Sequence, residues 1–278
     1  MAERDGAPAR HRRSRFARLS GAALSSALAL SLGCGTLSIP EERALGEQVN
    51  REVRAEARLV KDRVVWDYVR EIGHRIVAAS GSQPFTYSFY VVEDDAINAF
   101  ALPGGYIYIH SETLLAARNV AELAGVIAHE VGHVALRHVA RNYRRQQGVG
   151  SLYRIGVYAA SLLGGGLAGS AANLGGGLAA AAYLNSYGRD AEREADAFAV
   201  EVMPRAGYDP EGLVTFFKTM LSESGGQPPA WLSSHPTTVE RIEKTQRMIE
   251  ESPLPVGLRS HDDRLPQIQR RIRRLRTR

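Results

Sequence analysis

The stretch that decides the fold runs from Asn119 to His138 and reads NVAELAGVIAHEVGHVALRH. Asn119 is a favourable N-cap residue, and Glu122 follows three positions later, a combination typical of a helix start. Apolar residues then recur at helical spacing, so the sequence predicts one long helix that runs towards Arg145. The helix contains an H-E-x-x-H string, and we expect it to carry the chemistry of the molecule.

The H-E-x-x-H string consists of His129, Glu130 and His133 with two spacer residues. Residues four apart lie on one face of a helix, so both imidazoles can reach one zinc ion. Glu130 can lean towards a water molecule at the metal and act as the general base. A zinc site that serves only the fold does not need such a base, so Glu130 argues against a purely structural metal.

A third zinc ligand is expected about 60 residues downstream, on a helix predicted over 190–205. Glu192 and Asp196 form an E-x-x-x-D pair there, one turn apart on one face. Glu192 can bind the metal while Asp196 accepts a hydrogen bond from a ligating histidine and fixes its tautomer. Glu194 is the competing ligand, but no carboxylate stands four residues after it. The Glu192 assignment is the arrangement of a gluzincin.

The rest of the chain predicts an α+β fold, mostly α, with a small β-sheet beside the active-site helix. Apolar spacing predicts two helices between Glu41 and Ser80. The uncharged segment 155–188 is rich in Gly and Ala, and we interpret it as packed near the active site, with membrane contact as the alternative. β-Branched and aromatic runs predict strands over 85–92, 98–102 and 106–110, and Gly and Pro predict a hairpin turn over 103–105. Helical spacing predicts further helices over 210–224 and 239–249.

Composition excludes several classes of protein. Hydrophobic residues make up 44% and charged residues 23% of the 278 residues, so a disordered, collagenous or polytopic membrane protein is not expected. The net charge of +5 belongs to the two ends: residues 1–33 carry +4, residues 264–278 carry +7, and the rest carries −6. The central part is therefore mildly acidic, and we expect no nucleic-acid partner.

The amino-terminal segment is typical of an export signal. Residues 1–18 are rich in Arg, and residues 19–33 are uncharged and apolar, a pattern of a signal peptide over 1–33 rather than a membrane span. Cys34, the sole cysteine, cannot form an internal disulfide. A small residue directly before it resembles the lipobox of bacterial lipoproteins, so we predict lipidation at Cys34 and a linker over 34–40. An uncleaved anchor or a transit peptide is the alternative.

The carboxyl-terminal segment is strongly basic, with seven Arg and no acid over 264–278. Its apolar residues recur at near-helical spacing. One interpretation is a solvated basic helix or a frayed tail; the other is a surface that docks on anionic lipid or on an acidic partner. The predicted domain plan is therefore a zinc metalloprotease domain over 41–255 followed by a basic tail over 256–278.

Four motifs occur in order along the chain: Asn98–Gly105, the HEVGH helix extended to His138, Arg189–Asp196, and Ser234-His235-Pro236 ahead of Glu240-Arg241-Ile242. Together they resemble the forty-eighth metallopeptidase family, whose members include the Oma, HtpX, BepA and LoiP types. The resemblance covers roughly residues 40–250 and implies a compact, mostly helical zinc endopeptidase with a small sheet and one Zn²⁺ per chain. In layout the chain is most similar to the short LoiP-type envelope lipoproteins.

The resemblance implies roles for further residues. His235 is expected near the metal, either steadying the oxyanion or serving as a fourth ligand that keeps the enzyme latent. Arg189 is expected to brace the site, with a surface ion pair as the alternative. The segment from Asn98 through Ala99, Phe100 and Ala101 to Leu102 is expected to offer an edge strand to an extended substrate. The remaining histidines, His74, His110 and His138, are expected to be structural or surface residues.

The sequence thus predicts a zinc-dependent metalloendopeptidase of the bacterial cell envelope that degrades misfolded or misassembled proteins. The expected location is the periplasmic side of a membrane, lipid-anchored through Cys34. The outer membrane is favoured over the inner by family analogy, because no Asp follows Cys34. The alternative is a mostly latent protease that serves as a chaperone or binding module in outer-membrane protein assembly.

Overall fold

The computed structural model describes residues 36–145, 187–222, 231–232, 235–236 and 238–276. Three sequence predictions lie outside the described residues: the signal peptide, lipidation at Cys34, and the packing of the uncharged segment 155–188. No described helix is both long and apolar enough to cross a membrane.

The described chain is mostly helical with one small mixed sheet, which confirms the predicted α+β class. Its elements, in chain order, are α1 (Ile39–Glu56), α2 (Arg63–Ala79), β1 (Ser88–Val92), β2 (Ala99–Leu102), β3 (Tyr106–His110), α3 (Ser111–Ala116), α4 (Val120–Ala135), α5 (His138–Arg145), α6 (Arg189–Arg205), α7 (Glu211–Ser222), α8 (Val239–Glu250) and α9 (Arg264–Arg276).

Side-chain caps fix the starts of several helices. Ser38 and Glu41 form a capping box at α1, and the Asp62 carboxylate accepts from two backbone N–H groups at the start of α2. Asn119 caps α4 as the sequence predicts, accepting from the backbone N–H of Glu122 at 2.9 Å. These bonds satisfy amide groups that have no partner within their own helix.

The sheet has the strand order β1-β3-β2, with β3 in the centre. β1 and β3 are parallel, whereas β2 and β3 are antiparallel and are joined by the hairpin turn. Gly104 and Gly105 in that turn have φ of +80° and +103°, values that residues with a side chain adopt only with strain. β2 is therefore an edge strand of the described sheet, next to the active-site helix.

The two faces of the sheet pack against different helices. One face, with Phe100 and Tyr108, meets the apolar side of α1, including Leu45 and Val49. The other face, with Ile107 and Ile109 among others, joins the main core shared by α2, α4, α6, α7 and α9. Helix α4 lies in this core with every residue from Val120 to Val134 buried. Burial on all sides suits a helix whose charged groups have partners inside the protein.

The predicted single helix towards Arg145 is wrong in one detail. Helix α4 ends at Ala135, and the chain turns at Arg137, whose φ is +54°. Helix α5 then begins at His138. A left-handed residue cannot continue a right-handed helix, and periodicity alone does not reveal such a turn when both halves keep their apolar spacing.

The predicted boundary between a domain ending at 255 and a basic tail is also wrong. Helix α9 buries Leu265, Ile268 and Ile272 in the main core. The side-chain amide of Gln269 donates to three carbonyl oxygens at and after the end of α3. The segment is neither frayed nor appended, because its apolar residues form one face that the core covers.

Candidate active site

Helix α4 brings the two motif histidines together. His129 Nε2 lies 3.0 Å from His133 Nε2, as expected for side chains four residues apart. Both rings are buried, with exposures of 0% and 1%. Burial lowers the pKa of His133 well below its usual range, which keeps the ring neutral and its lone pair available to a metal ion.

Helix α6 supplies the third ligand candidate. Glu192 Oε2 lies 3.4 Å from His129 Nε2, and Oε1 lies 3.5 Å from His133 Nε2. The two helices approach closely at Gly132, where a Cβ atom would come within 3.3 Å of the Ala195 backbone. A larger residue would force the Ala195 backbone and the Phe198 ring to shift, so Gly132 permits this close approach. Glu192, not Glu194, faces the motif histidines.

His235 lies against the same three residues. Its Nδ1 is 3.2 Å from His129 Nε2 and 3.1 Å from Glu192 Oε1, while its Nε2 is 3.4 Å from Glu130 Oε1. The backbone N–H of His235 donates to the carbonyl of Trp231, and the two rings stack with centroids 5.1 Å apart. One ring nitrogen thus faces the ligands and the other faces the predicted base.

These residues fit a metal ion. One side-chain atom each from His129, His133, Glu192 and His235 lies within 4.8 Å of all the others. The distances given above between donor atoms run from 3.0 to 3.5 Å. A tetrahedral ion with bonds of about 2.1 Å separates its ligands by about 3.4 Å. Three nitrogens and one carboxylate oxygen suit zinc among the transition metals.

Asp196 occupies the position behind His129 that the sequence predicted. Its Oδ1 is 3.0 Å from His129 Nδ1, so the carboxylate accepts the N–H there and leaves Nε2 for the metal. Arg241 donates to Asp196 through Nε at 2.5 Å and through Nη2 at 2.8 Å, and its Nη1 lies 2.9 Å from Glu192 Oε2. Burial alone would raise the pKa of Asp196, but the charge of Arg241 outweighs it and lowers the pKa.

Arg241 is the functional residue that sequence reasoning missed. The predicted brace was Arg189, but that side chain is exposed at the first turn of α6. Arg241 is 5% exposed and bonds to both carboxylates of the E-x-x-x-D pair. Arg241 belongs to the Glu240-Arg241-Ile242 motif, but the spacing of that motif does not select it as the charged residue that turns inward. Arg241 therefore takes the role that was assigned to Arg189.

Glu130 is buried beside His235 and Trp231. Its Oε1 is 3.4 Å from Trp231 Nε1, and its Oε2 has no hydrogen-bond partner within the described residues. Burial raises the pKa of Glu130, which brings a carboxylate closer to the pKa that a general base needs near neutral pH. Trp231, which no motif indicated, thus contacts both Glu130 and His235.

The predicted substrate strand lies beside this site. The backbone N–H of His110 donates to the carbonyl of Asn98 on the β3 side. Antiparallel pairing alternates, so the main-chain groups of Ala99 and Ala101 point away from β3, where Ala99 is fully buried and Ala101 is partly exposed. On that same edge the carbonyl of Ile97 accepts from the N–H of Trp231 at 3.1 Å. The main chains of Asn98 and Phe100 face β3, and substrate binding by the segment from Asn98 to Ala101 stays a prediction.

His138, expected to be structural or at the surface, is a buried residue with two polar partners. Its ring lies between His133 and Glu194. The reason is the left-handed turn at Arg137, which helical spacing does not predict. His74 and His110 make no contact with the ligand group and stay structural, His110 with Nδ1 3.2 Å from the carbonyl of Ala96.

Comparison with known proteins agrees with this geometry. Residues 66–249 match the family model described as Peptidase family M48. The chain belongs to peptidase family M48. It is 36% identical over 214 residues, 74% of this chain, to the beta-barrel assembly-enhancing protease of Yersinia pestis. It is 29% identical over 225 residues to the mitochondrial metalloendopeptidase OMA1 of Schizosaccharomyces pombe, and 30% over 162 residues to the metalloprotease LoiP of Escherichia coli.

The coverage of these M48 relatives differs. The matched part is 43% of the Yersinia protein, 63% of OMA1 and 61% of LoiP. The matched part covers 78% of this chain in the comparison with OMA1 and 58% in the comparison with LoiP. This M48 chain thus spans less than half the length of the assembly-enhancing proteases, and what it shares with them is the peptidase domain.

Proposed function

We propose that this chain is a zinc-dependent metalloendopeptidase of the gluzincin arrangement. The observation that carries the proposal is the buried group of His129, His133 and Glu192 donor atoms at metal-ligand spacing. Glu130 lies on the same helix, one residue from the first ligand. Bound zinc would act as a Lewis acid that polarises a peptide carbonyl and makes a water molecule more acidic.

The chain's own residues divide the remaining work. Glu130 takes a proton from the attacking water and returns it to the leaving amine. Its raised pKa suits both steps, because a stronger base removes the proton more readily while still releasing it. Asp196 holds the ring of His129, and Arg241 balances the charge of the two carboxylates.

Substrate binding is proposed at the edge of β2 that points away from β3, where Ala101 is partly exposed. An extended peptide that pairs with Ala99 and Ala101 would lie next to Trp231, which contacts Glu130. Such pairing uses main-chain hydrogen bonds, which every unfolded peptide can supply, and reads few side chains. This supports misfolded or misassembled proteins as the substrate class.

A latent form is the second candidate, favoured by the position of His235. With Nδ1 of His235 as a fourth protein ligand, the tetrahedral site has no open position, and catalytic zinc sites need one. The chain would then act mainly as a chaperone or binding module in outer-membrane protein assembly, as the name of the Yersinia relative suggests. His235→Ala separates the roles: hydrolysis rises if His235 blocks the site and falls if it steadies the oxyanion.

The test of the proteolytic function is Glu130→Gln. We expect the variant to keep its zinc and to lose at least about 100-fold in hydrolysis of an unfolded protein, because general-base catalysis typically contributes that much. The assay is run in the presence and absence of His235→Ala, so that latency does not hide activity. Glu240→Gln, on the exposed side of α8, is the matched control. If Glu130→Gln still supports the biological role in cells, the binding-module function is correct.

We further propose that the chain is a lipoprotein of the bacterial envelope that faces the periplasm, with the outer membrane as the favoured site. Cys34 would carry the lipid, and the exposed arginines of α9, among them Arg270 and Arg273, would face anionic headgroups or an acidic partner. No nucleic-acid partner is proposed, because the basic charge lies outside the site. Unchanged membrane fractionation of Cys34→Ala would contradict the lipid anchor.

A further inference from the structure

His133 has an unusual partner on the side away from the ligand group. His138 Nδ1 lies 2.9 Å from His133 Nδ1, and His138 Nε2 lies 3.1 Å from Glu194 Oε2. The His138 ring is 1% exposed. Three side chains thus form a chain of hydrogen bonds that runs from the ligand group to the surface, where Glu194 is 41% exposed.

The protons in this chain can be assigned from the geometry. His133 Nε2 faces His129 and Glu192, so a metal ion there takes its lone pair and the ring proton lies on Nδ1. Only one hydrogen fits between two nitrogens 2.9 Å apart, so His133 donates and His138 Nδ1 accepts. The His138 proton then lies on Nε2, which donates to Glu194. Each ring is neutral, and each nitrogen has a defined role.

The far end of the chain is held by an ion pair. Arg141, one turn after His138 on α5, donates to both carboxylate oxygens of Glu194, with distances of 2.5 Å and 3.1 Å. A two-bond arginine–carboxylate pair fixes the orientation of the carboxylate as well as its charge. Glu194 is thereby held as the acceptor for His138, which explains why it is not the ligand itself.

The near end is held by the turn that ends α4. Arg137, with φ +54°, reverses the chain so that His138 reaches back to a residue five positions earlier. A left-handed conformation is strained in a residue with a side chain. The Arg137 side chain donates to Glu42 Oε2 at 2.7 Å and to the carbonyl of Leu37. Contacts with α1 and the residue ahead of its cap therefore keep the strained turn in place.

We propose that His138 is a positioning residue for the metal ligand His133. It fixes the tautomer and ring orientation of His133, as Asp196 does for His129. The two ligand rings are held differently: one by a carboxylate in a buried ionic network, the other by a neutral imidazole. The proposal rests on the proposed function only in requiring that the ligand group binds zinc.

The experiment measures zinc affinity of the full chain by competition with a chromogenic chelator. His138→Leu replaces the acceptor ring with an apolar side chain of similar bulk. We expect zinc affinity to fall about 10–100-fold, the usual effect of losing such a partner. His138→Asn returns an acceptor oxygen near the position of Nδ1, and we expect most of the affinity to return. Glu194→Gln keeps an acceptor for His138 and should bind zinc almost as the unmutated chain does.

A general loss of stability is excluded by two further measurements. In thermal unfolding of the metal-free proteins, His138→Leu and His138→Asn should have similar midpoint temperatures, although their zinc affinities differ. His110→Asn, a change at another buried histidine that contacts none of the ligands, should leave zinc affinity unchanged. The absorption spectrum of the Co²⁺ form should change for His138→Leu and resemble the unmutated spectrum for His138→Asn.

The outcomes separate the two proposals. A chain that binds about one zinc but hydrolyses no unfolded protein, either unmutated or as His235→Ala, contradicts the proteolytic function and leaves the positioning role intact. Equal zinc affinity of His138→Leu and the unmutated chain overturns the positioning role alone. Equal losses in the Leu and Asn variants also overturn it, because a purely structural histidine would behave that way. A chain that binds no zinc overturns both.

Discussion

Arginine plays opposite roles in the centre of this molecule and at its carboxyl-terminal helix. Arg241 is 5% exposed and bonds to two buried carboxylates, Asp196 and Glu192. At the surface, Arg264 of α9 pairs with Glu71 of α2, and Arg271 of α9 pairs with Asp62, the cap residue of α2. Both arginine side chains are about half exposed. The same residue type thus meets an apolar interior in one region and water in the other.

The difference teaches which charges determine the structure. Water screens an exposed ion pair, and such pairs contribute about 0–1 kcal/mol. A buried charge that loses its partner has no water to replace it, so the loss is several times larger. Arg241, the buried arginine among the residues that the structure describes, therefore decides whether the site is assembled, whereas the six arginines of α9 leave its docking to the apolar residues between them.

The largest expected effect follows from Arg241→Met. Removing the guanidinium leaves Asp196 and Glu192 buried without their cation, and we expect a loss of about 3–5 kcal/mol in the free energy of unfolding of the metal-free protein. Denaturant unfolding in the presence of a chelator measures it. Zinc should reduce the loss, because the ion supplies positive charge next to Glu192.

Arg241→Lys is the matched control for that prediction. Lysine keeps the charge but cannot make the Nε and Nη2 bonds to Asp196 at once. We expect an effect between those of the unmutated chain and Arg241→Met. If Met and Lys destabilise the metal-free protein equally, geometry and not charge is what Arg241 supplies.

The second prediction concerns α9, where apolar contacts should outweigh the arginines. Ile268→Ala removes a buried side chain from the main core, and we expect a loss of about 2–5 kcal/mol. Arg273→Ala, on the exposed side of the same helix, should change stability by less than about 0.5 kcal/mol. Equal effects of the two changes in denaturant unfolding would show that α9 is not part of the core.

The sequence predicted the ligands because their chemistry imposes a spacing. His129 and His133 must share a helix face, and Glu192 with Asp196 must share another, so these assignments agree with the observed geometry. Capping residues and Gly-Pro punctuation likewise located most helices and strands, because those signals are local. The α+β class followed from the same local patterns.

Contacts between distant segments were not predictable in this way. Arg241 reaches Asp196 from 45 residues away, and nothing in the spacing of α8 selects it over Arg189. The role of His138 depends on one left-handed residue, Arg137, which composition does not indicate. The basic segment over 256–278 was predicted to be a tail, because the near-helical spacing of Leu265, Ile268 and Ile272 does not show whether a core covers them.

The smallest expected effect comes from Arg271→Gln, which breaks one of the surface pairs. Burial raises the pKa of Asp62, but the hydrogen bond from Arg271 and those from two backbone N–H groups outweigh it and leave the pKa below its usual value. Asp62 therefore stabilises the fold above about pH 4 and loses this contribution as the pH falls through its lowered pKa. Arg271→Gln should cost less than about 1 kcal/mol near neutral pH. The difference should shrink in high salt and at low pH, whereas Arg270→Gln, the exposed control on α9, should show neither dependence. A loss from Arg271→Gln that persists in high salt would place this pair with Arg241, among the charges that water does not screen.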